Sequence, residues 1–281
     1  LLGTLATLVP AADAAYKPPA RALYDTGPSG RHLLGGEWLF RLDKDDQGIK
    51  QRFMRQTSTA GWSKTTVPSA WNVGDHSVES FTGSIGWYRK DFSLPSASKA
   101  LRWIARFESV NYRTRVWLNG RPIGENKGAY VPFELELGGL KPRGTNRLVV
   151  RVDSKRFPTD FPPSGLNAFG APTGGWWNYG GILREVYLRK IDAVDFKEVV
   201  VRPDLPCGSC DATVRLRTVM RNVLPSPKRV KVTGRFGSRR VNLGTATIPA
   251  KGLRAFETSI KVRNPKLWSP ASPNLYEVEF S

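Results

Sequence analysis

The 281-residue chain is poor in the residues that bind metals or react: it has two His, two Cys and two Met. Two His and two Cys supply neither a set of zinc sites nor a disulfide scaffold, so no metal and no cofactor is expected. No run of 18 apolar residues occurs, so no membrane span is expected. Acidic residues are scarce, 24 Asp+Glu against 43 Lys+Arg, which leaves a net charge of +19. The G-x-S-x-G elbow, the G-x-x-x-x-G-K-S/T phosphate loop and the H-E-x-x-H helix are all missing. Against these shortages stand 40% apolar residues and nine Trp, enough to build cores and to exclude a wholly disordered chain. At ~100–200 residues per domain, the length allows one large or two ordinary domains.

The first residue is not Met. Residues 1–15 are apolar up to Val9 and then small, and Ala12-Asp13-Ala14 fits an A-x-A cleavage pattern. They read as the back half of a secretory signal peptide, with an ordinary amphipathic helix as the alternative. On the first reading the protein is secreted, its cysteines are free to oxidise, and residues 16–32 form an N-terminal extension.

From Gly36 onward short alternating runs dominate, such as Trp38 to Leu42, Trp87 to Phe92, Arg102 to Phe107, Thr114 to Leu118 and Arg147 to Val152. Clusters of Gly, Pro, Asn and Asp separate them. Asn119-Gly120 marks a tight hairpin, because both residues accept positive φ. No long capped 3.6-residue period appears, so β-sandwiches are expected rather than an α/β fold. A second set of strands follows residue 191: Val199 to Val201, Thr213 to Val219, Arg229 to Val232 and Phe256 to Val262. The strand rhythm places one domain at 33–190 and another at 191–281. Charge does not mark the boundary, since the net charge is +11 before residue 191 and +8 after it.

Candidate chemistry is thin. Asp75-His76 has no nucleophile motif beside it and reads as a polar loop. Asp43 to Gly48 looks like the start of a calcium loop, but Met54 stands where a bidentate Glu is required, so it reads as a turn. Cys207-Gly208-Ser209-Cys210 follows Pro206 and a strand rather than opening a helix, which favours a small structural disulfide over a redox pair. Between Asp211 and Glu257 there are eleven Lys/Arg and no acid. These cations alternate with apolar residues, as in Val214-Arg215-Leu216-Arg217, and so lie on the wet face of strands. With only Phe236 and Phe256 as aromatics there, base-stacking platforms are lacking and no specific nucleic-acid site is expected. A weak attraction of the face from Arg215 to Arg254 for acidic polymers is a further reading.

The aromatic clusters carry more. Trp62, Val67-Pro68-Ser69-Ala70-Trp71-Asn72, Gly86-Trp87-Tyr88-Arg89-Lys90-Asp91-Phe92, Val116-Trp117-Leu118-Asn119-Gly120 and Gly128-Ala129-Tyr130-Val131-Pro132-Phe133 follow one another. Then come Gly174-Gly175-Trp176-Trp177-Asn178-Tyr179-Gly180-Gly181-Ile182 and, near the end, Pro265-Lys266-Leu267-Trp268-Ser269-Pro270 with Pro273-Asn274-Leu275-Tyr276. Their order and spacing resemble the N-terminal part of glycoside hydrolase family 2, which contains β-galactosidases, β-glucuronidases and β-mannosidases. The resemblance runs from about Leu33 to Ser281.

That resemblance implies an all-β chain: a jelly-roll, galactose-binding-like β-sandwich, then an immunoglobulin-like β-sandwich. In the family a (β/α)8 barrel follows, with two Glu that perform retaining glycoside hydrolysis. A 281-residue chain has no room for a barrel besides two sandwiches. The expectation is therefore a non-catalytic portion of a secreted β-glycosidase, whose partners are a carbohydrate and the barrel of the same parent chain. Self-association, common in the family, is a further expectation; a free-standing carbohydrate-binding or polyanion-binding module is the alternative. Glu134 and Glu136 share one strand face and read as sheet decoration. Family jelly-roll loops wall the sugar subsite, and aromatic faces suit sugar C–H groups. The substrate-binding candidates on the long loop from Asp153 to Tyr179 are Asp160, Asn167, Trp176, Trp177 and Asn178. Galactosidases and glucuronidases carry a sugar-binding Asp directly before the aromatic pair; here that place is Gly175. Asp160 is the candidate replacement, with capping of a turn as its other reading. Alternation sends one of Trp176 and Trp177 inward and the other toward the pocket, while Trp38, Trp87 and Trp117 read as core.

Overall fold

Strand formation along this chain follows from β-branched and aromatic residues spaced two apart and interrupted by turn formers. A computed structural model describes residues 20–21, 31–94, 102–163 and 165–281. The signal-like segment, residues 1–15, lies outside them. The described chain is almost entirely β, and its α-helix is the single turn Val78–Thr82, capped by Ser77 Oγ, which accepts the Ser80 N–H at 3.1 Å. Two compact units divide between Lys190 and Ile191.

The first unit is a jelly-roll sandwich. One sheet orders the strands Ala20–Arg21, Arg31–Leu33, Val186–Ile191, Arg102–Phe107 and Phe133–Glu136. The other orders Arg121–Lys127, Arg113–Leu118, Asn146–Asp153, Ile85–Phe92, Gly36–Leu42 and Ser63–Val67. Trp38, Tyr88, Trp103, Phe107, Val116 and Val150 fill the space between the sheets. The six-stranded sheet is also covered on its outer face. There Trp87 stacks on Trp117 with ring centroids 5.3 Å apart, and Phe53, Met54 and Trp62 close over them. Asp43 anchors this cover: its Oδ2 accepts the Trp87 indole N–H at 2.9 Å and the Gly48 N–H at 2.8 Å, so the calcium-like segment is a turn. Glu134 and Glu136 decorate their strand through ion pairs with Arg106, Arg189 and Arg102.

The first sheet draws in residues assigned from sequence to an extension. His32 pairs with Leu188 and with Ala20, and Arg31 with Arg189. Arg31 is buried because its guanidinium lies 4.7 Å from the Tyr187 ring centre and bonds Glu185 at 3.0 Å. A charged strand whose cation is matched in this way looks like a solvated segment in the sequence.

The second unit is an immunoglobulin-like sandwich. Val194–Asp204, Ala212–Asn222 and Leu253–Val262 form one sheet; Arg239–Ile248, Lys228–Phe236 and Val278–Phe280 form the other. Val214, Leu216, Met220, Val232, Phe236, Leu243, Ile248 and Ile260 meet between them. Arg215 and Arg217 lie on the outer face, where neighbouring strands supply the acids their own lacks. Arg217 bonds Glu198 at 2.6 Å, and Arg215 meets Glu257 at 3.4 Å. Cys207 and Cys210 are joined by a disulfide in the turn between Val194–Asp204 and Ala212–Asn222, beside the Cys210 N–H to Cys207 C=O bond of 3.1 Å.

Candidate functional site

The strand Asn146–Asp153 runs out into the long loop that returns at Gly181–Ile182. A segment of this length with little regular pairing leaves its backbone polar groups to side chains. Asn178 meets much of that need. Fully buried, it donates through Nδ2 to Phe81 C=O at 3.0 Å and Ser154 C=O at 2.9 Å, and accepts through Oδ1 from Asn111 Nδ2 at 3.0 Å. Asn111 Oδ1 in turn accepts from Arg156 Nη2 at 2.9 Å, and Arg156 Nη1 donates to Pro162 C=O at 2.8 Å. Asn72 closes the other side: Oδ1 accepts the Gly180 N–H at 3.0 Å, and Nδ2 donates to Ser80 Oγ at 2.9 Å and Asn178 C=O at 3.1 Å. One buried network thus ties the loop to the helical turn and to the small sheet that contains Val110–Asn111.

Two of the candidate sugar contacts have their polar groups taken up within the chain. Asn178 has no exposed surface and spends its amide on the network. Asp160 is 3% exposed; its carboxylate accepts the Phe157 N–H at 2.9 Å and is paired with Arg113 and with Lys127, the latter at 3.1 Å. Burial pushes the Asp160 carboxyl up, but the Phe157 N–H, Arg113 and Lys127 outweigh it and hold it below its ordinary value. It caps a turn, the second of its two readings from sequence. Asn167 lies on the surface, and its Oδ1 accepts the N–H groups of Phe169 and Ala171, both at 2.9 Å, which folds the outer bend of the loop.

The tryptophans are different. Neither is core: both are half-buried and both lean on Phe81, with ring centroids 6.1 Å away for Trp176 and 5.4 Å for Trp177. Trp176 lies under the Arg156 guanidinium and donates through Nε1 to Pro163 C=O at 3.3 Å. Trp177 stands edge-on to His76 at 5.3 Å, and its buried indole N–H has no acceptor among the described residues. Gly175, just before them, is exposed with φ +66°, and a Cβ there would meet nothing within 4 Å. Phe157, Phe161, Phe169 and Tyr179 leave further apolar surface on the same loop and Tyr130 and Val131 on the strand connection before Phe133–Glu136. Sequence reasoning missed Arg156 and Asn111, and read His76 as part of a polar loop. Asn111 and Arg156 carry no motif, and His76 becomes meaningful only when the fold brings it to Trp177.

The Glycosyl hydrolases family 2, sugar binding domain, matches residues 32–192, and the Glycosyl hydrolases family 2 domain matches residues 194–281. The chain belongs to glycosyl hydrolase family 2. Among relatives of this family 2 chain, a β-galactosidase of Alteromonas mediterranea is 26% identical over 95% of the chain and 27% of its own length. A β-glucuronidase of Canis lupus familiaris is 30% identical over 56% of the chain and 28% of its own length. A crystal structure of Bacteroides uniformis β-glucuronidase superposes with a TM-score of 0.74 at 20% identity, covering 89% of this chain and 30% of that one. A Ruminococcus gnavus β-glucuronidase in complex with D-glucuronic acid gives 0.68 at 24% identity, covering 92% and 44%. These likenesses are of fold. The family 2 chain spans only 28%, 23% and 27% of the first three curated relatives.

Proposed function

We propose that this family 2 chain is the non-catalytic N-terminal portion of a secreted retaining β-glycosidase, and that its long loop walls the sugar pocket of a catalytic barrel. In such a reaction one carboxylic acid protonates the leaving oxygen and a second carboxylate attacks the anomeric carbon. The reading assigns both to the barrel. The observation that carries it is the pair of half-buried tryptophans on a loop locked by buried amides. Sugar C–H faces pack on such rings, and a fixed wall binds with little ordering cost. The unmatched Trp177 indole N–H supports the same reading, because a buried donor asks for an acceptor from a ligand or a neighbouring domain. With Asp160 and Asn178 taken up internally, Trp176, Trp177 and Asn167 remain as the loop's candidates for sugar contact. Export draws support from the leader-like residues 1–15 and the Cys207–Cys210 bond, which suits an oxidising compartment.

The chain alone should hydrolyse no p-nitrophenyl β-glycoside. In the full-length enzyme Trp177→Ala should lower kcat/KM by about tenfold, the equivalent of one lost aromatic contact, while the melting temperature holds. Turnover by the isolated chain that vanishes on substitution of one of its own Glu residues would overturn the reading. Unchanged kinetics for Trp177→Ala across several β-glycosides would assign that ring to packing alone.

A further inference from the structure

The strands that feed the long loop carry a second feature at their opposite ends, about seven residues or roughly 20 Å away. There the Asn119-Gly120 hairpin turn, the 141–145 loop and the Phe53–Arg55 turn enclose a groove of about 510 Å³. Its walls hold four cations, Arg55, Arg121, Lys141 and Arg147, with the hydroxyls of Thr57 and Thr145, and no carboxylate. Arg147 is matched: its Nε and Nη2 each lie 2.7 Å from Asp91, which Arg89 also binds. Burial pushes the Asp91 carboxyl up, but Arg147 and Arg89 together outweigh it, so this acid stays charged and its charge is already committed. Arg55, Arg121 and Lys141 are exposed and have no acidic partner among the described residues.

Three unbalanced cations around one depression cost self-repulsion, and the backbone turns that carry two of them are fastened in place. Buried Asn146 accepts the Lys141 N–H at 2.8 Å and the Asn119 Nδ2–H at 3.0 Å, and donates to Lys141 C=O at 3.0 Å. Asn119 Oδ1 accepts the Arg147 N–H at 2.9 Å, which fastens the two turns to the sheet. Gly120 completes the floor: at φ +78° it brings the turn so close that a Cβ would sit 3.2 Å from Arg55 Cγ. The turns that frame the groove are pre-formed, so a ligand would meet clustered positive charge in a concave site, where field lines focus.

We propose that this groove binds an acidic saccharide, a uronate or sulfated sugar unit, through its oxyanion. Arginine forks match carboxylate and sulfate oxygens, and the threonine hydroxyls serve ring hydroxyls. The volume suits one or two sugar rings. No aromatic side chain lines the groove, so it reads charge rather than a ring face, and it offers nothing for bases to stack on. This site is separate from the tryptophan loop and does not depend on the chain's proposed part in a glycosidase.

The test is calorimetric titration of the whole chain, near physiological salt, with a galacturonate oligomer, a heparin tetrasaccharide, neutral cellotetraose and a single-stranded oligonucleotide of equal charge. At least one acidic oligosaccharide should bind, the tighter of the two naming the anion, and cellotetraose should not. The surface double substitution Arg121→Glu with Lys141→Glu should weaken that binding by at least about tenfold at unchanged melting temperature. Charge reversal at Arg215 and Arg217, in the other unit, should leave it in place. The proposal fails if neither acidic oligosaccharide binds, if cellotetraose binds equally, or if the Arg121/Lys141 variant binds as before. It also fails if the oligonucleotide binds as tightly as the sugars.

Discussion

The central strands of the two sandwiches solve the same problem in different ways. In the immunoglobulin-like unit, Ala212–Asn222 alternates strictly: Val214 and Leu216 face the core, while Arg215 and Arg217 face out among acids of neighbouring strands. In the jelly roll, seven of the eight residues of Ile85–Phe92 are buried, because the segment from Asp43 to Trp62 folds over the outer face. A sheet with one wet face declares itself by period two; a sheet covered twice does not. The jelly roll thus holds two layers of large aromatics across one strand, and its neighbour holds one layer.

The widest gap between the two should appear at the outward position of each central strand. Trp87→Ala removes a fully buried indole from the covered face and should destabilise the first unit by about 3–5 kcal/mol in urea unfolding. A loss near zero would mean that the cover is not part of the core.

Lys90 sharpens the contrast on the inner face, which it shares by alternation with Tyr88 and Phe92. Its Nζ donates to Glu37 C=O at 2.6 Å, and burial lowers its pKa from 10.5 to about 8. Between those values the unfolded chain binds more protons than the folded one, so this group makes stability rise with pH from about 8 to 10.5. In Lys90→Met that contribution vanishes. The stability of the variant relative to the parent should therefore fall as pH climbs through this window, as measured by paired melts. A difference independent of pH would refute the assignment.

The smallest effect belongs to the wet face: Arg217→Ala breaks a bond to Glu198 at the surface and should cost under about 1 kcal/mol, and less in high salt. A cost rivalling that of Trp87→Ala would erase the distinction between the units.

The two-sandwich architecture is legible in the sequence because its strands alternate and its turns carry Asn-Gly, Pro and Gly. The burial of Trp38, Trp87 and Trp117 is legible because large aromatics inside strand patterns pack, although alternation does not announce the cover over the last two. The strand Arg31–Leu33 is hidden, since the Glu185 carboxylate and the Tyr187 ring that meet its cation lie more than 150 residues away along the chain. The site is half legible. Trp176 and Trp177 stand out as a pair, but an Asp or Asn in a loop looks alike whether it meets solvent or backbone. Asp160 and Asn178 turn inward because unpaired loop amides and the cations Arg113 and Lys127 claim them first. The cationic groove is hidden because its walls come from three turns, each of which reads as ordinary solvated surface by itself.

Asn178 ties the base of the tryptophan loop to the backbone at Phe81 and Ser154 and to the Asn111 side chain, so the loop cannot hinge there. A lid swings when a few weak bonds let go; here release would strand several buried amides at once. Warming should leave the wall standing until the whole jelly roll gives way, and its amide protons should exchange with those of the sheet rather than ahead of them.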